Sequence, residues 1–329
     1  MTTTTRRPRG LVVVLFALTV AALAALATVA APPARATDPD ARPAQPVPWR
    51  WWDGGAYQLM HGMAAWPGLN DDTCRPSARH PEPVILLHGT GATGPNNWAT
   101  VGQALMNEGY CVWAPTFGGF PGLDTFAAGM LSVRNVAAPH VAAEIDRVRT
   151  LTGAEKVHLV GMSQGTIVAG YVTKVLRPDA VRTVVGLAGG WPSRKPEVAA
   201  LVPPGTAEAM RALPAGSAMH DIGNDSDMSR EWLGADGSPF VPGVRYLLVA
   251  SRYDGLVPEA SALAPYDDGP ERLLLQDGCE VNRSSHLTLY ADPRAVDAIV
   301  GALDPSDTRP LRCVPTDGIT GVLGPVPPR

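Results

Sequence analysis

Alternating short apolar runs and helical stretches predict an α/β fold, with a mostly parallel central sheet and helices on both faces. Three observations carry this. Val84–Leu87 is a continuous apolar run behind Pro83, as a strand buried on both faces requires. Val157–Val160 and Val181–Leu187 repeat that pattern. Stretches with apolar residues three and four positions apart fill the intervals.

Taken in order, Val84–Leu87 is the first strand and ends at His88-Gly89. Trp98–Glu108 has helical spacing and stops at Gly109. Tyr110–Trp113 is a second strand, closed by Pro115. Val133–Leu151 is a long helix with Val141, Ile145 and Val148 on one face, ended by Gly153. Val157–Val160 is the third strand, followed by a helix over Gly165–Leu176. Val181–Leu187, Val244–Ala250 and Arg272–Leu275 are the remaining strands, and Pro293–Leu303 is the final helix. Between Gly190 and Pro242 the alternation stops. Residues 190–242 are a candidate lid over the sheet's carboxyl edge, or an ordinary long connection. No internal repeat is visible.

The N-terminus reads as a targeting segment. Arg6, Arg7 and Arg9 precede the apolar run Leu11–Ala30, and Ala34-Arg35-Ala36 offers a cleavage site, so residues 1–36 are expected to be a signal peptide. Ala30 is a second candidate site. A membrane anchor is the competing reading, since the run could just span a bilayer, but the small residues and prolines after it favour cleavage. The paired arginines fit the twin-arginine route. Arg9 and Gly10 sit where that signal prefers apolar residues, so the general secretory route is expected. Thr37–Pro48 is Pro- and Ala-rich and reads as an extended leader, 37–73 as that leader with an N-terminal segment, 74–303 as the catalytic domain, and 304–329 as a Pro-rich tail tied down only by Cys313.

A net charge of −4, with no basic run interleaved with aromatics past Arg50, argues against a nucleic-acid partner. The four cysteines are even in number, and an exported chain meets oxidising conditions, so disulfides are expected. Of the three possible pairings, Cys74–Cys111 with Cys279–Cys313 puts one bridge at each end of the domain. Each could stabilise by ~2–4 kcal/mol. No C-x-x-C or H-x-x-C cluster supports a zinc site, and no Ca²⁺ loop signature is present.

The chemistry centres on Gly161-Met162-Ser163-Gln164-Gly165. A G-x-S-x-G match alone is weak, but this one lies between a strand and a helix, where a sharp turn needs small neighbours and exposes the serine hydroxyl. The turn also puts Ser163 at a helix N-terminus, which favours developing negative charge. A serine needs a base to take its proton. In this strand-turn-helix arrangement, that of the α/β-hydrolase fold, the acid and then the histidine follow the serine in the chain. His286, between the last strand and the last helix, is preferred to His220. Asp254, after the fifth strand, is the expected acid, with Asp277 as runner-up and Asp225 and Asp227 as more distant choices. The backbone N–H groups of Gln164 and Thr90 are the expected oxyanion donors. His88 reads as a structural residue at the strand end. Trp191, Trp232, Phe240 and Tyr253 could line an acyl pocket or belong to the core.

These residues together resemble the secreted bacterial class 2 lipases and esterases. The likeness runs from about Cys74 to Cys313. It rests on Pro83–Gly91, Glu108–Val112, Thr152–Val157, Val160–Gly165, Arg245-Tyr246 followed by Asp254, and Ser285-His286-Leu287. The pairing of Thr90 with Gln164 also resembles the oxyanion hole of a fungal lipase, the type B enzyme. The resemblance implies ester hydrolysis without cofactor and supports both disulfide pairings. Two departures stand out: Met162 where relatives usually carry His, and Thr166 where they usually carry Gly. The first should face inward beside the nucleophile. The second adds bulk where helix and strand pack closely.

The expected function is therefore a secreted, extracellular serine ester hydrolase, lipase or esterase, acting through Ser163, His286 and Asp254. Its partner would be an ester or lipid small molecule, with transient contact to a lipid interface, and the protein would be a monomer. A polyester depolymerase or acyltransferase on the same machinery, or a secreted binding protein without activity, are the alternatives.

Overall fold

Pro83 leads into β1 (Val84–Leu87), whose four side chains are all buried. The computed structural model describes residues 44–122, 128–193, 216–223, 225–264, 266 and 269–329. The expected signal peptide and residues 194–215 of the candidate lid lie outside the described residues.

The elements before and around β1 are helix α1 (Trp52–His61), the short α2 (Gly94–Asn97) and α3 (Ala99–Asn107). Then follow β2 (Val112–Trp113), α4 (Ala138–Thr152), β3 (Val157–Met162), α5 (Gln164–Tyr171) and β4 (Val181–Leu187). After these come α6 (Gly216–Ile222), α7 (Asp227–Leu233), β5 (Arg245–Ala250), α8 (Glu259–Ala262), β6 (Glu271–Leu274) and α9 (Pro293–Leu303). A two-stranded hairpin, β7 (Thr316–Asp317) and β8 (Gly321–Val322), lies in the C-terminal segment. Single π-helical turns, Val133–Ala137 and Val172–Leu176, open the α4 helix and close α5.

Among the described residues, six strands form one sheet in the order β2-β1-β3-β4-β5-β6, with every pair parallel. Side chains alternate along each strand, so the sheet feeds two cores. Ile85, Leu87, Leu159 and Leu248 pack on one face with Val141, Ile145 and Val148 of α4. Val84, Leu86, Val160 and Val249 pack on the other with Leu105 of α3 and Val296, Ile299 and Val300 of α9. Burial on both faces is why these strands lack the alternating polar pattern of a one-sided sheet.

The N-terminal segment within residues 37–73 contains α1, which packs against α2 and α3. One sequence expectation needs correction. The tail is held by much more than the Cys279–Cys313 disulfide. Arg312 and Arg329 each lie 2.8 Å from the fully buried carboxylate of Asp297. Arg309 lies 2.6 Å from Glu108. A buried carboxylate must be paired to remain charged, and the tail supplies its partners. At the other end, the Cys74–Cys111 disulfide fastens residue 74 to the approach to β2. Among the described residues, no helix is long and apolar enough to cross a membrane.

Candidate active site

Three segments at the carboxyl edge of the sheet build the site. The first is the turn between β3 and α5. Ser163 has φ 53° and ψ −118°, a left-handed conformation that L-residues rarely adopt. Its N–H donates to the Leu187 carbonyl at 2.8 Å, which fastens the turn to β4. The flanking glycines are needed for close approach. A Cβ at Gly161 would stand 2.4 Å from the Gly165 carbonyl, and one at Gly165 would stand 1.8 Å from the Leu87 carbonyl oxygen. Neither position can carry a side chain without opening the turn, so local sterics explain the motif.

The second segment is the loop after β1. The Gly89 N–H donates to Asn97 Oδ1 at 3.0 Å, and the Gly91 N–H donates to the Ala128 carbonyl at 2.8 Å. Thr90, between them, is exposed and lines the cavity beside Ser163. The loop runs close past the serine, since a Cβ at Gly89 would come within 3.3 Å of the Ser163 Cβ. His88 anchors the loop from below. Its Nδ1 lies 2.9 Å from the Gly89 carbonyl, and its Nε2 accepts the Phe117 N–H at 3.1 Å. Those partners require a neutral ring with the proton on Nδ1, and burial pushes its ionisation down to about 4. The buried Gln164 side chain donates through Nε2 to the Gly129 carbonyl at 2.9 Å, so it braces the segment that supports the loop.

The third segment is the pair of loops after β5 and β6. Asp254 Oδ2 lies 2.8 Å from His286 Nδ1. Its other oxygen, Oδ1, accepts the N–H groups of Leu256 and Val257, both at 2.8 Å. The Asp254 side chain is 1 % exposed and that of His286 11 %, so the pair is shielded. Asp277, the runner-up acid, is exposed and pairs with Arg252 at 3.0 Å. Asp227 pairs with Arg230 on the surface, and His220 is exposed on α6. Among the described residues, no group of three His, Cys, Asp or Glu side chains could hold a metal ion.

Ser163, Met162, Thr90 and His286 line one cavity of about 540 Å³. Its other walls include Trp51, Trp52, Gly55, Ala56 and Leu59 from α1 and the residue before it, together with Leu287 and Tyr290. The sequence reading missed this wall. The signal was the Trp52, Ala56, Leu59 spacing on one helical face, obscured by Asp53-Gly54-Gly55, which resembles a turn. The aromatics offered by the sequence lie elsewhere. Trp191, Trp232 and Phe240 are buried in a core cluster with Tyr246, with ring centroids about 5–6 Å apart. Tyr253 is 46 % exposed and does not line this cavity. Thr166 is fully buried, and its Oγ1 donates to the Gly161 carbonyl at 2.9 Å.

Residues 82–225 match the family model of the α/β hydrolase fold. Among solved structures, a Bacillus licheniformis lipase, BlEst2, in mature form is 14% identical, with 70% of this chain and 94% of that chain covered and a TM-score of 0.48. The 2-hydroxy-6-oxo-6-phenylhexa-2,4-dienoate hydrolase of Rhodococcus sp. strain RHA1 is 20% identical, covering 68% and 91%, with a TM-score of 0.43. A meta-cleavage product hydrolase of Pseudomonas fluorescens IP01 is 21% identical, covering 69% and 92%, with a TM-score of 0.46. The parallel six-stranded sheet, the helices on its two faces and the family match from Glu82 to Asp225 give this chain the α/β-hydrolase fold.

Proposed function

We propose that this protein is a secreted carboxylic ester hydrolase of the lipase or esterase type, working through Ser163, His286 and Asp254. One observation carries the reading: Ser163, on its strained turn, and His286, held by Asp254 at 2.8 Å, line the same cavity.

The chemistry follows from those positions. Ser163 Oγ attacks the ester carbonyl carbon as its proton passes to His286 Nε2. Asp254 accepts the Nδ1–H, holds the ring in that tautomer and stabilises the imidazolium. The backbone N–H groups of Thr90 and Gln164 donate to the oxyanion; losing one such donor typically costs about 10²–10³ in rate. The tetrahedral intermediate collapses, the alkoxide leaves with the proton from His286, and an acyl-enzyme remains on Ser163. Water, deprotonated by His286, attacks the acyl carbonyl; the bond to Ser163 Oγ then breaks, His286 returns the proton to Oγ, and the acid is released. The sequence needs no cofactor.

The disulfides support an oxidising compartment, and the apolar run Leu11–Ala30 with Ala34-Arg35-Ala36 supports export. The test is hydrolysis of p-nitrophenyl acyl esters by the mature protein. Wild type cleaves them, and Ser163→Ala lowers kcat by about 10⁴-fold or more. A wild type inert toward every ester from acetyl to palmitoyl contradicts the reading.

A further inference from the structure

We propose that α1 is the selectivity wall of the cavity and that Gly55 sets the length of acyl chain it admits, an inference that rests on the ester-hydrolase reading. The helix has two faces with different work. Trp52, Gly55, Ala56 and Leu59 fall at i, i+3, i+4 and i+7, one stripe of a helix, and all four line the cavity that Ser163 lines.

The other face is bolted to the scaffold. Gln58 Oε1 accepts from Thr93 Oγ1 at 3.0 Å and from Asn96 Nδ2 at 2.8 Å. Gly54 lies so close that a Cβ there would stand 1.9 Å from the Asn96 carbonyl oxygen. Tyr57 stacks on Trp66 with centroids 4.1 Å apart, and its hydroxyl donates to the Ala65 carbonyl at 2.9 Å. Asn97, next to the Asn96 that Gln58 holds, accepts the Gly89 N–H of the loop beside Ser163. The wall is thus fixed relative to the nucleophile.

On the cavity stripe the two middle positions are small. A Cβ built at Gly55 meets nothing within 4 Å, so position 55, on the stripe that lines the cavity, opens onto free space. Trp52 and the exposed Leu59 flank that space with apolar surface. The space suits the hydrocarbon chain of an aliphatic acyl group, and its reach is limited by what stands at positions 55 and 56.

The experiment compares wild type with Gly55→Leu and with Ala56→Leu on p-nitrophenyl acetate and p-nitrophenyl decanoate. For both variants the ratio of kcat/KM on decanoate to kcat/KM on acetate falls about tenfold or more below that of wild type, the scale on which a pocket discriminates methylenes. Leucine is the better helix former at position 55, so Tm of Gly55→Leu does not fall. Unchanged acetate-to-decanoate ratios in the folded variants overturn the proposal while leaving the ester-hydrolase reading intact. A wild type that cleaves neither ester contradicts that reading instead. Calorimetric titration with sodium decanoate then decides the wall: about tenfold weaker binding by Gly55→Leu supports it, and equal binding, or none by wild type, overturns it.

Discussion

Gln276 Oε1 accepts the backbone N–H of Arg252 at 3.0 Å. Its Nε2 reaches Ser251 Oγ at 3.0 Å and the Asn282 carbonyl at 3.1 Å. Residues 251–254 lead to Asp254, and 282–286 lead to His286. One buried amide therefore ties together the two loops that carry Asp254 and His286. Gln276→Leu leaves these groups unpaired and the loops free to separate. Because a misplacement of about 1 Å can cost about 10²-fold, kcat should fall about 10- to 100-fold with KM within about twofold. Steady-state kinetics on a short ester check this, and an unchanged kcat refutes the positioning role.

Acid should destabilise the fold through buried histidines. Burial pushes the ionisation of His88 down to about 4 and that of His158 to about 3. Glu82, 4.0 Å from His158, already pairs with Arg182 at 3.0 Å. In the unfolded chain both imidazoles protonate near 6.5. Between 6.5 and the folded values the unfolded state binds more protons, so stability is full above pH 6.5 and falls as pH drops. At pH 5 each histidine accounts for about 2 kcal/mol. Burial raises the Asp292 carboxyl, which works in the opposite sense, with stability lost as pH rises through its folded value. The comparison is therefore made by difference. The drop in urea midpoint from pH 7.5 to pH 5 should be smaller in His88→Asn than in wild type. Equal drops would show that His88 is not held neutral.

Thr166 and Gly189 should be coupled. A Cβ at Gly189 would stand 2.2 Å from the Thr166 Cβ, and one at Gly186 2.5 Å from Thr166 Cγ2. The bulk that Thr166 adds at the helix start is accommodated by glycines on and just after β4. Gly189→Ala should cost about 1–3 kcal/mol by overpacking. Thr166→Gly in the same chain should restore part of that loss. Denaturant unfolding of the four proteins in the cycle gives the interaction energy, and strictly additive effects would refute the contact.

Much of the fold was legible because its strands are apolar on both faces. Val84–Leu87, Val181–Leu187 and Pro293–Leu303 have the bounds the sequence suggests. The elbow at Ser163 was legible because its geometry demands glycines at fixed offsets. His286 and Asp254 followed from chain order alone, since their meeting depends on Gln276 and Asn282, which carry no motif. Helix α1 was hidden because its stability is tertiary. Two glycines near its start weaken its intrinsic propensity, and what holds it is Gln58 and Tyr57 against distant segments. The tail was misread for a similar reason, because the buried Asp297 that binds Arg312 lies in another element. Trp191, Trp232 and Phe240 could not be sorted between core and cavity, since either site accepts an aromatic.

The most direct measurement is covalent labelling by a fluorophosphonate, with the modified residue located by peptide mass spectrometry. Wild type should carry one phosphonyl group on Ser163, and Ser163→Ala none. Labelling should be slowed by about 10⁴-fold in Asp254→Asn, where the tautomer of His286 is no longer fixed. A wild type left unlabelled, or one labelled at a residue other than Ser163, would contradict Ser163 as the nucleophile.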